Sequence, residues 1–541
     1  MMNEFQNEIN KSNSMQHTEN GATGYSTTGN ELVDLNFKVP SFRKGVPTNE
    51  LLTFEMAMRN NLSYAIKWLF FLRDAREGLG EKRAFVEFFT QFFNFDKNTA
   101  TKVISLVGEY GRWKDIFDII HYANNNELKG MCFNVVKEQL KQDVENLEAN
   151  KSISLLAKWI PSINASDSVR PMAIELRKYL GLNNKEYRKM LSKLRAHIGI
   201  VESKTCANQW GDIDYEKVPS KANLRYKDAF LKHDGERRQA FLDAVLNTTS
   251  ENRPKINASV LYPHEIWSKY TQQRGGYSWY NREHQLQIDY SLEALWQNLK
   301  DVKDCGNTMV VCDGSGSMMS SIAGSSVKAI DVSRSLSVYF AERCEGEFKN
   351  KFIEFSNNPQ FIDINGYDTL VDKIKKVEKY NACSNTDIEK VFMLLLDTAK
   401  KYKMKQSDLP ERILIVSDME FDCATTINRW SGNFQSCMRT IFENITREYN
   451  IAGYKMPKLV FWNVNSRTNT IPVTENENGV VLVSGFSVNI VRMVMSGKTD
   501  PWLVLKETLD SERYSLVDKA LADGEKTTLE NAVKRTAGKK G

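Results

Sequence analysis

The stretch Asn307-Thr308-Met309-Val310-Val311-Cys312-Asp313-Gly314-Ser315-Gly316-Ser317 decides the reading of this chain. Its first six residues are apolar and β-branched enough for a buried strand, and the Gly/Ser run ends that strand abruptly. Asp313, Ser315 and Ser317 then alternate, which puts three oxygen-bearing side chains on one side of the loop. Three more short apolar runs follow, at 412–417 (RILIVS), 458–464 (KLVFWNV) and 479–484 (GVVLVS). Helices are expected between them, over 325–345, 369–379, 387–403 and 434–449. Buried strands alternating with amphipathic helices predict a doubly wound α/β sheet with parallel strands. Such sheets bind ligands at the C-terminal edge of their strands, where the loop of Asp313 falls.

Two more elements reach that edge. Ser384-Asn385-Thr386-Asp387 opens the helix expected at 387, and Ser417-Asp418 ends the strand 412–417. Asp313, Ser315, Ser317, Thr386 and Asp418 are all hard oxygen donors. They suit an octahedral cation such as Mg²⁺, with positions left for water or for a partner's carboxylate. The plainer alternative is a Gly/Ser turn in which Asp313 caps a helix. No catalytic residue is assigned. Ser315 stands where a haloacid-dehalogenase phosphatase needs its second Asp, no GxSxG elbow surrounds the serines, and no histidine follows His284. Ser496-Gly497-Lys498-Thr499 ends like a phosphate loop, but Arg492 occupies the position of its first glycine.

The order DxSxS, Thr, Asp resembles the metal-ion-dependent adhesion site of von Willebrand factor A domains, over roughly residues 305–500. The resemblance implies that Asp313, Ser315, Ser317, Thr386 and Asp418 are ligands of Mg²⁺ or another divalent ion. Ser384-Asn385 precedes Thr386 where that family often has Gly-Gly, a departure that bears on the path of the loop.

Upstream, helices are expected over 50–72, 82–93, 99–107, 113–123, 128–147, 167–180 and 185–197. Short connections hold Gly78, Gly80, Gly111 and Gly181. Consecutive helices without strands suggest an α-solenoid of HEAT-like pairs. The expected organisation is a disordered arm at 1–44, poor in large apolar residues, a helical HEAT-like domain at 45–300, an α/β domain at 301–523 and a basic tail at 524–541. The fold class is therefore α + α/β.

The 541 residues carry 73 Lys and Arg against 68 Asp and Glu, a net charge of +5 that neither demands nor excludes a nucleic-acid partner. The window 151–240 alone holds 18 Lys and Arg against 10 Asp and Glu, so the basic excess is concentrated there. Arg188, Lys189, Lys193 and Arg195 crowd one helix, and Lys221, Arg225, Lys227, Lys232, Arg237 and Arg238 follow. Trp159, Tyr187, Trp210, Tyr215 and Tyr226 are interleaved. Cations for phosphates and aromatic faces for unpaired bases make a single-stranded RNA track, with Arg188, Lys189, Lys193, Arg195, Lys221, Arg225 and Lys227 as its candidate contacts. Solvated helix faces with the aromatics packed inside are the alternative. No run of about 18 apolar residues exists and no secretory leader opens the chain, so no membrane is expected. Eight scattered cysteines without a CxxC pair predict reduced thiols and a cytoplasmic protein.

Specific strings add a second resemblance. They are Arg76-Glu77-Gly78-Leu79-Gly80, Gly111-Arg112-Trp113-Lys114-Asp115, Ala157-Lys158-Trp159-Ile160-Pro161-Ser162, the run 188–195 (RKMLSKLR), Leu261-Tyr262-Pro263-His264-Glu265-Ile266 and Phe461-Trp462-Asn463-Val464. Over roughly residues 45–520 they resemble an uncharacterised "domain of unknown function" group, similar to the TROVE-domain Ro ribonucleoproteins. In those proteins a ring of HEAT-like helices is closed by a von Willebrand A domain and binds small or misfolded RNA. The resemblance implies a non-catalytic RNA-binding protein whose A domain braces it or docks a partner. The alternative is a protein-binding adaptor or scaffold that acts through the metal-ion-dependent adhesion site.

Overall fold

The computed structural model describes residues 15–17, 23–249, 251–272, 286–301, 305–322, 325–355, 359–380, 388–420, 445–465, 468–469, 471, 480–487, 493 and 500–522. The chain divides into two compact units, an α/β unit of Met1–Ala57 with Ala258–Asp510 and a helical unit of Met58–Asn257 with Ser511–Gly541.

The α/β unit contains a small antiparallel hairpin, β1 (Met15–His17) and β2 (Thr23–Tyr25), and a six-stranded sheet. The sheet strands are β3 (Thr308–Asp313), β4 (Lys351–Phe355), β5 (Gln360–Asp363), β6 (Arg412–Ser417), β7 (Lys458–Asn463) and β8 (Val480–Ser484). Their order is β5-β4-β3-β6-β7-β8, parallel except for β5, which runs antiparallel to β4. After β3 the chain builds outward to β4 and β5. It then returns to the other side of β3 for β6, β7 and β8. The switch point therefore lies between β3 and β6, where an open α/β sheet leaves a crevice at its C-terminal edge.

Strand side chains alternate between two covered faces. Met309, Val311, Ile413, Ile415, Leu459 and Phe461 share a core with Val391, Phe392 and Leu396 of helix Ile388–Tyr402. On the opposite face, Cys312 Sγ lies 3.3 Å from Ser333 Oγ and Phe340 packs on Trp462 with ring centroids 5.3 Å apart. Both partners belong to helix Ala329–Ala341, which is buried along its whole length. The four expected strand runs all form, each within a residue of its expected ends. β4 and β5 were not foreseen, because Lys351 and Glu354 interrupt the apolar run KFIEF and β5 is an edge strand with only Ile362 fully buried.

The expected disordered arm at 1–44 is corrected over 15–17 and 23–44. Glu31–Lys38 is a helix capped by Asn30, whose side chain accepts from the Leu32 and Val33 amides. Leu32, Leu35, Phe37, Val39 and Phe42 are all buried, a local apolar concentration that the polar composition of the arm conceals. Asn463 Nδ2 donates to Phe37 O at 2.9 Å and Ser484 Oγ donates to Asn36 O, so this segment sits at the C-terminal ends of β7 and β8. Tyr25 and Ile471 exchange two backbone bonds of 2.8 Å.

The expected boundary at 300 moves too. Helices Pro263–Gln272 and Tyr290–Gln297 belong to the α/β unit. Trp296 Nε1 donates to Glu342, and the buried Glu293 carboxylate accepts from the Leu370 and Val371 amides at the start of helix Leu370–Glu378.

The helix expected over 50–72 is broken in two at Asn61, whose side chain caps Leu62–Arg73 by accepting from Tyr64 N at 3.1 Å. In the helical unit the helix expected over 113–123 forms with those ends, those over 82–93, 128–147, 167–180 and 185–197 form with shifted ends, and 99–107 is three short pieces; most of the helix expected over 434–449 lies outside the described residues. The segment after Asp510 returns to this unit. Arg513 binds Asp74 through Nε at 2.8 Å and Glu109 through a terminal nitrogen at 2.7 Å, while Tyr514 stacks on Tyr110 at 5.5 Å. The expected α/β domain thus ends near 510, and the expected tail at 524–541 lies outside the described residues. Among the described residues no helix is long and apolar enough to cross a membrane.

Candidate metal centre and the basic helix

β3 delivers Asp313 to the switch point as its last residue, fully buried. Ser315 N donates to Asp313 Oδ1 at 2.9 Å, an Asx-type turn that folds the loop back on its own carboxylate. The turn brings Ser315 Oγ and Ser317 Oγ within 2.8 Å of each other. From β6, Ser417 Oγ donates to Asp313 Oδ2 at 2.5 Å, and Asp418 follows immediately. Asp418 is buried, interacts with the Ser317 hydroxyl and accepts from Glu420 N at 3.2 Å. Four of the five expected ligands, Asp313, Ser315, Ser317 and Asp418, are therefore drawn together from two strand ends. Thr386, with Ser384 and Asp387, lies outside the described residues.

Charge accumulates at this edge. Burial first, and the Asp313 carboxylate second, push Asp418 up to about 7. Glu354, also buried, is raised by desolvation, with Arg334 opposing and Asp313 adding to the rise. Glu420, two residues past Asp418, is buried, and accepts from Thr468 N at 2.9 Å and from its hydroxyl at 3.1 Å. Four buried carboxylates thus surround a short loop, with the Arg334 guanidinium bonded to one of them at 3.1 Å. Negative charge gathered away from water is costly unless a cation neutralises it. Among the described residues no three His, Cys, Asp or Glu side chains are placed together to hold a metal. The set is instead two aspartates with serine hydroxyls, a donor chemistry that fits a hard divalent ion.

Sequence reasoning missed Glu354 and Arg334. Nothing in KFIEF marks its glutamate as facing a loop on the neighbouring strand; the pairing of β4 beside β3 supplies that information. Met419 was missed too. Its backbone has φ +63°, the left-handed region that disfavours a side chain, directly between Asp418 and Glu420.

The basic candidates separate into two groups. Helix Asn184–Ile198 buries Tyr187, Leu191 and Leu194 and presents Lys185, Arg188, Lys189 and Lys193 to solvent. Lys185, Lys189, Lys193 and the exposed His197 recur every four residues, so they form one stripe. Arg225 is exposed and Lys221 half-buried. Arg195 and Lys227 correct the expectation. Arg195 donates to Ala157 O at 2.8 Å, Ile160 O at 2.7 Å and Ser162 Oγ at 2.8 Å, which commits its guanidinium to the short helix Leu156–Trp159 and the turn after it. Lys227 is buried beside Asp228, at 2.6 Å. Arg238 is buried as well, among the rings of Tyr215, Phe230 and Phe241. Four of the interleaved aromatics are packing groups: Tyr187 donates to Pro161 O, Tyr215 is buried, Tyr226 packs against Phe230, and Trp210 stacks on His233 at 4.5 Å.

The whole is a protein with an open, mostly parallel α/β unit that gathers aspartates and serines at its switch point, and a helical unit with a basic stripe. Residues 307–532 match a family described as Domain of unknown function (DUF7788), and residues 166–308 match another, Domain of unknown function (DUF2828). The chain is also similar to the uncharacterized protein L728 of Acanthamoeba polyphaga mimivirus. The two are 27% identical over 573 residues, covering 97% of this chain and 94% of that protein.

Proposed function

We propose that this chain is a non-catalytic binding protein whose α/β unit is a von Willebrand A-type domain with a metal-ion-dependent adhesion site. Asp313, Ser315, Ser317 and Asp418, with Thr386 expected from the loop before helix Ile388–Tyr402, hold Mg²⁺ or a similar divalent ion there. The bound ion supplies an electrophilic point on which a partner's carboxylate closes. Asp313 and Asp418 provide the charge, the serines fill positions without adding any, and Ser417 fixes Asp313 by its hydroxyl. The observation that carries this reading is the convergence of Asp313 and Asp418, both buried, from adjacent strand ends onto one pair of serine hydroxyls. Titration with Mg²⁺ tests it: binding is expected in the native protein and is lost in Asp313→Ala. Partner capture from the native cell should likewise fail in chelator.

A second reading is favoured by one observation, the stripe Lys185, Lys189 and Lys193 with Arg188 beside it. Among the described residues none of the four forms an ion pair. In this reading the helical unit holds small or misfolded RNA by phosphate contacts, as in Ro-type ribonucleoproteins, and the A-type domain braces it or docks a partner. Crosslinking and sequencing of co-purifying RNA separates the two: discrete RNAs that disappear on charge reversal of the stripe support it, and none above background leaves the cation-dependent adaptor. Among the described residues Cys132, Cys206, Cys312 and Cys344 carry thiols outside any disulfide, which supports a reducing, cytoplasmic setting.

A further inference from the structure

At position 314 the space for a side chain is taken by the side chain of Glu354. A Cβ there would lie 2.4 Å from Glu354 Oε1 and 3.1 Å from the two carbons behind it. Glu354 stands on β4 opposite Cys312, the residue before Asp313, so its carboxylate reaches past the strand end and lies under the first peptides of the cation loop. It is held there: Glu354 is buried, and Oε1 accepts from an Arg334 terminal nitrogen at 3.1 Å. Arg334, equally buried, comes from helix Ala329–Ala341, which follows that same loop. Gly314 joins Asp313 to Ser315. A fixed surface against its Cα therefore fixes the relation of the Asp313 carboxylate to the serine hydroxyls.

We propose that Glu354, braced by Arg334, is a positioning residue that sets the site's preference for a small cation. The proposal rests on the cation reading above. Glu354 is not a ligand in it; it is the floor on which the ligand loop lies. Mg²⁺ demands nearly ideal octahedral geometry, whereas Ca²⁺ accepts longer and more varied ligand distances. A rigid floor therefore favours Mg²⁺, and a withdrawn or crowded one costs Mg²⁺ binding more than Ca²⁺ binding. Loss of charge alone weakens both divalent ions alike and leaves their ratio unchanged.

The test is calorimetric titration of the full chain with Mg²⁺ and separately with Ca²⁺, with thermal unfolding in parallel. Glu354→Ala withdraws the floor and should weaken Mg²⁺ about tenfold, the usual scale for a group behind a metal ligand, while Ca²⁺ changes less than about threefold. Glu354→Gln keeps the shape and should preserve the Mg²⁺/Ca²⁺ ratio. Gly314→Ala pushes the loop off the carboxylate and should lower Mg²⁺ affinity as Glu354→Ala does. The double variant Gly314→Ala with Glu354→Asp restores the room and should recover most of it, so the pair decides the matter even if Glu354→Ala fails to fold. Unchanged ratios in Glu354→Ala and Gly314→Ala, or no recovery in the double variant, overturn the positioning role. Native protein that binds neither ion overturns the cation reading itself.

Discussion

Asp418 makes the α/β unit answer to pH. Its folded value, about 7, lies above its ordinary 3.8, so between the two the folded chain keeps a proton that the unfolded chain has released. The stability from that proton is complete below the ordinary value and is lost as pH rises through the folded one. With chelator present, the unfolding midpoint should therefore fall between about pH 4 and about pH 8, and saturating Mg²⁺ should abolish the fall by taking the proton's place. Mg²⁺ affinity should rise over the same interval, and a flat affinity in calorimetry would contradict this assignment. Met419, next along the chain, trades strain for burial. Met419→Gly relieves roughly 1–2 kcal/mol of left-handed backbone strain but forfeits about 2–3 kcal/mol of side-chain burial. The expected result is a small net destabilisation of about 1 kcal/mol in urea unfolding.

At the scale of elements, helix Asn184–Ile198 separates two roles that composition had merged. Tyr187, Leu191 and Leu194 set its buried face, and Arg195 falls at the edge of that face, one heptad after the exposed Arg188. The same period puts Lys227 between the buried Leu224 and Phe230. The signal that excluded Lys227 was thus present in the sequence, but counting charges in a window discards the phase; Arg195 is excluded by its bonds to Ala157, Ile160 and Ser162, which no period announces. Arg195→Ala should lower the melting temperature, because two carbonyls and a serine are deprived of their donor. Charge reversal at Lys185, Lys189 and Lys193 should leave the melting temperature nearly unchanged. If the stripe holds RNA, that reversal also reduces the salt dependence of binding measured by filter retention, by about one unit of slope for each phosphate no longer neutralised. The strands were legible where both faces are apolar, as in β3, β6, β7 and β8. β4 was hidden because Glu354 is polar for a reason that only its neighbour in the sheet reveals.

At the scale of the whole molecule, the sequence announced an α-helical part followed by an α/β part, and that order holds. The path of the chain between them was not legible. Residues 23–57 belong with the sheet, and the segment after Asp510 belongs with the helices, because burial in a distant partner leaves no local period to read. Arg513 is the anchor of the second crossing. It neutralises Asp74, whose side chain is fully buried, and reaches Glu109. Arg513→Ala should destabilise the helical unit by about 2–3 kcal/mol, seen as earlier unfolding of that unit and faster amide exchange at 511–522. In the other unit, two strand ends bring two aspartates and two serines to one point. Calorimetric titration of the intact protein with Mg²⁺ at neutral pH, beside Asp313→Ala and Asp418→Ala, tests it most directly. One ion per chain is expected in the native protein and none in either variant. Heat of binding that is absent from the native protein, or that survives both substitutions, would contradict it.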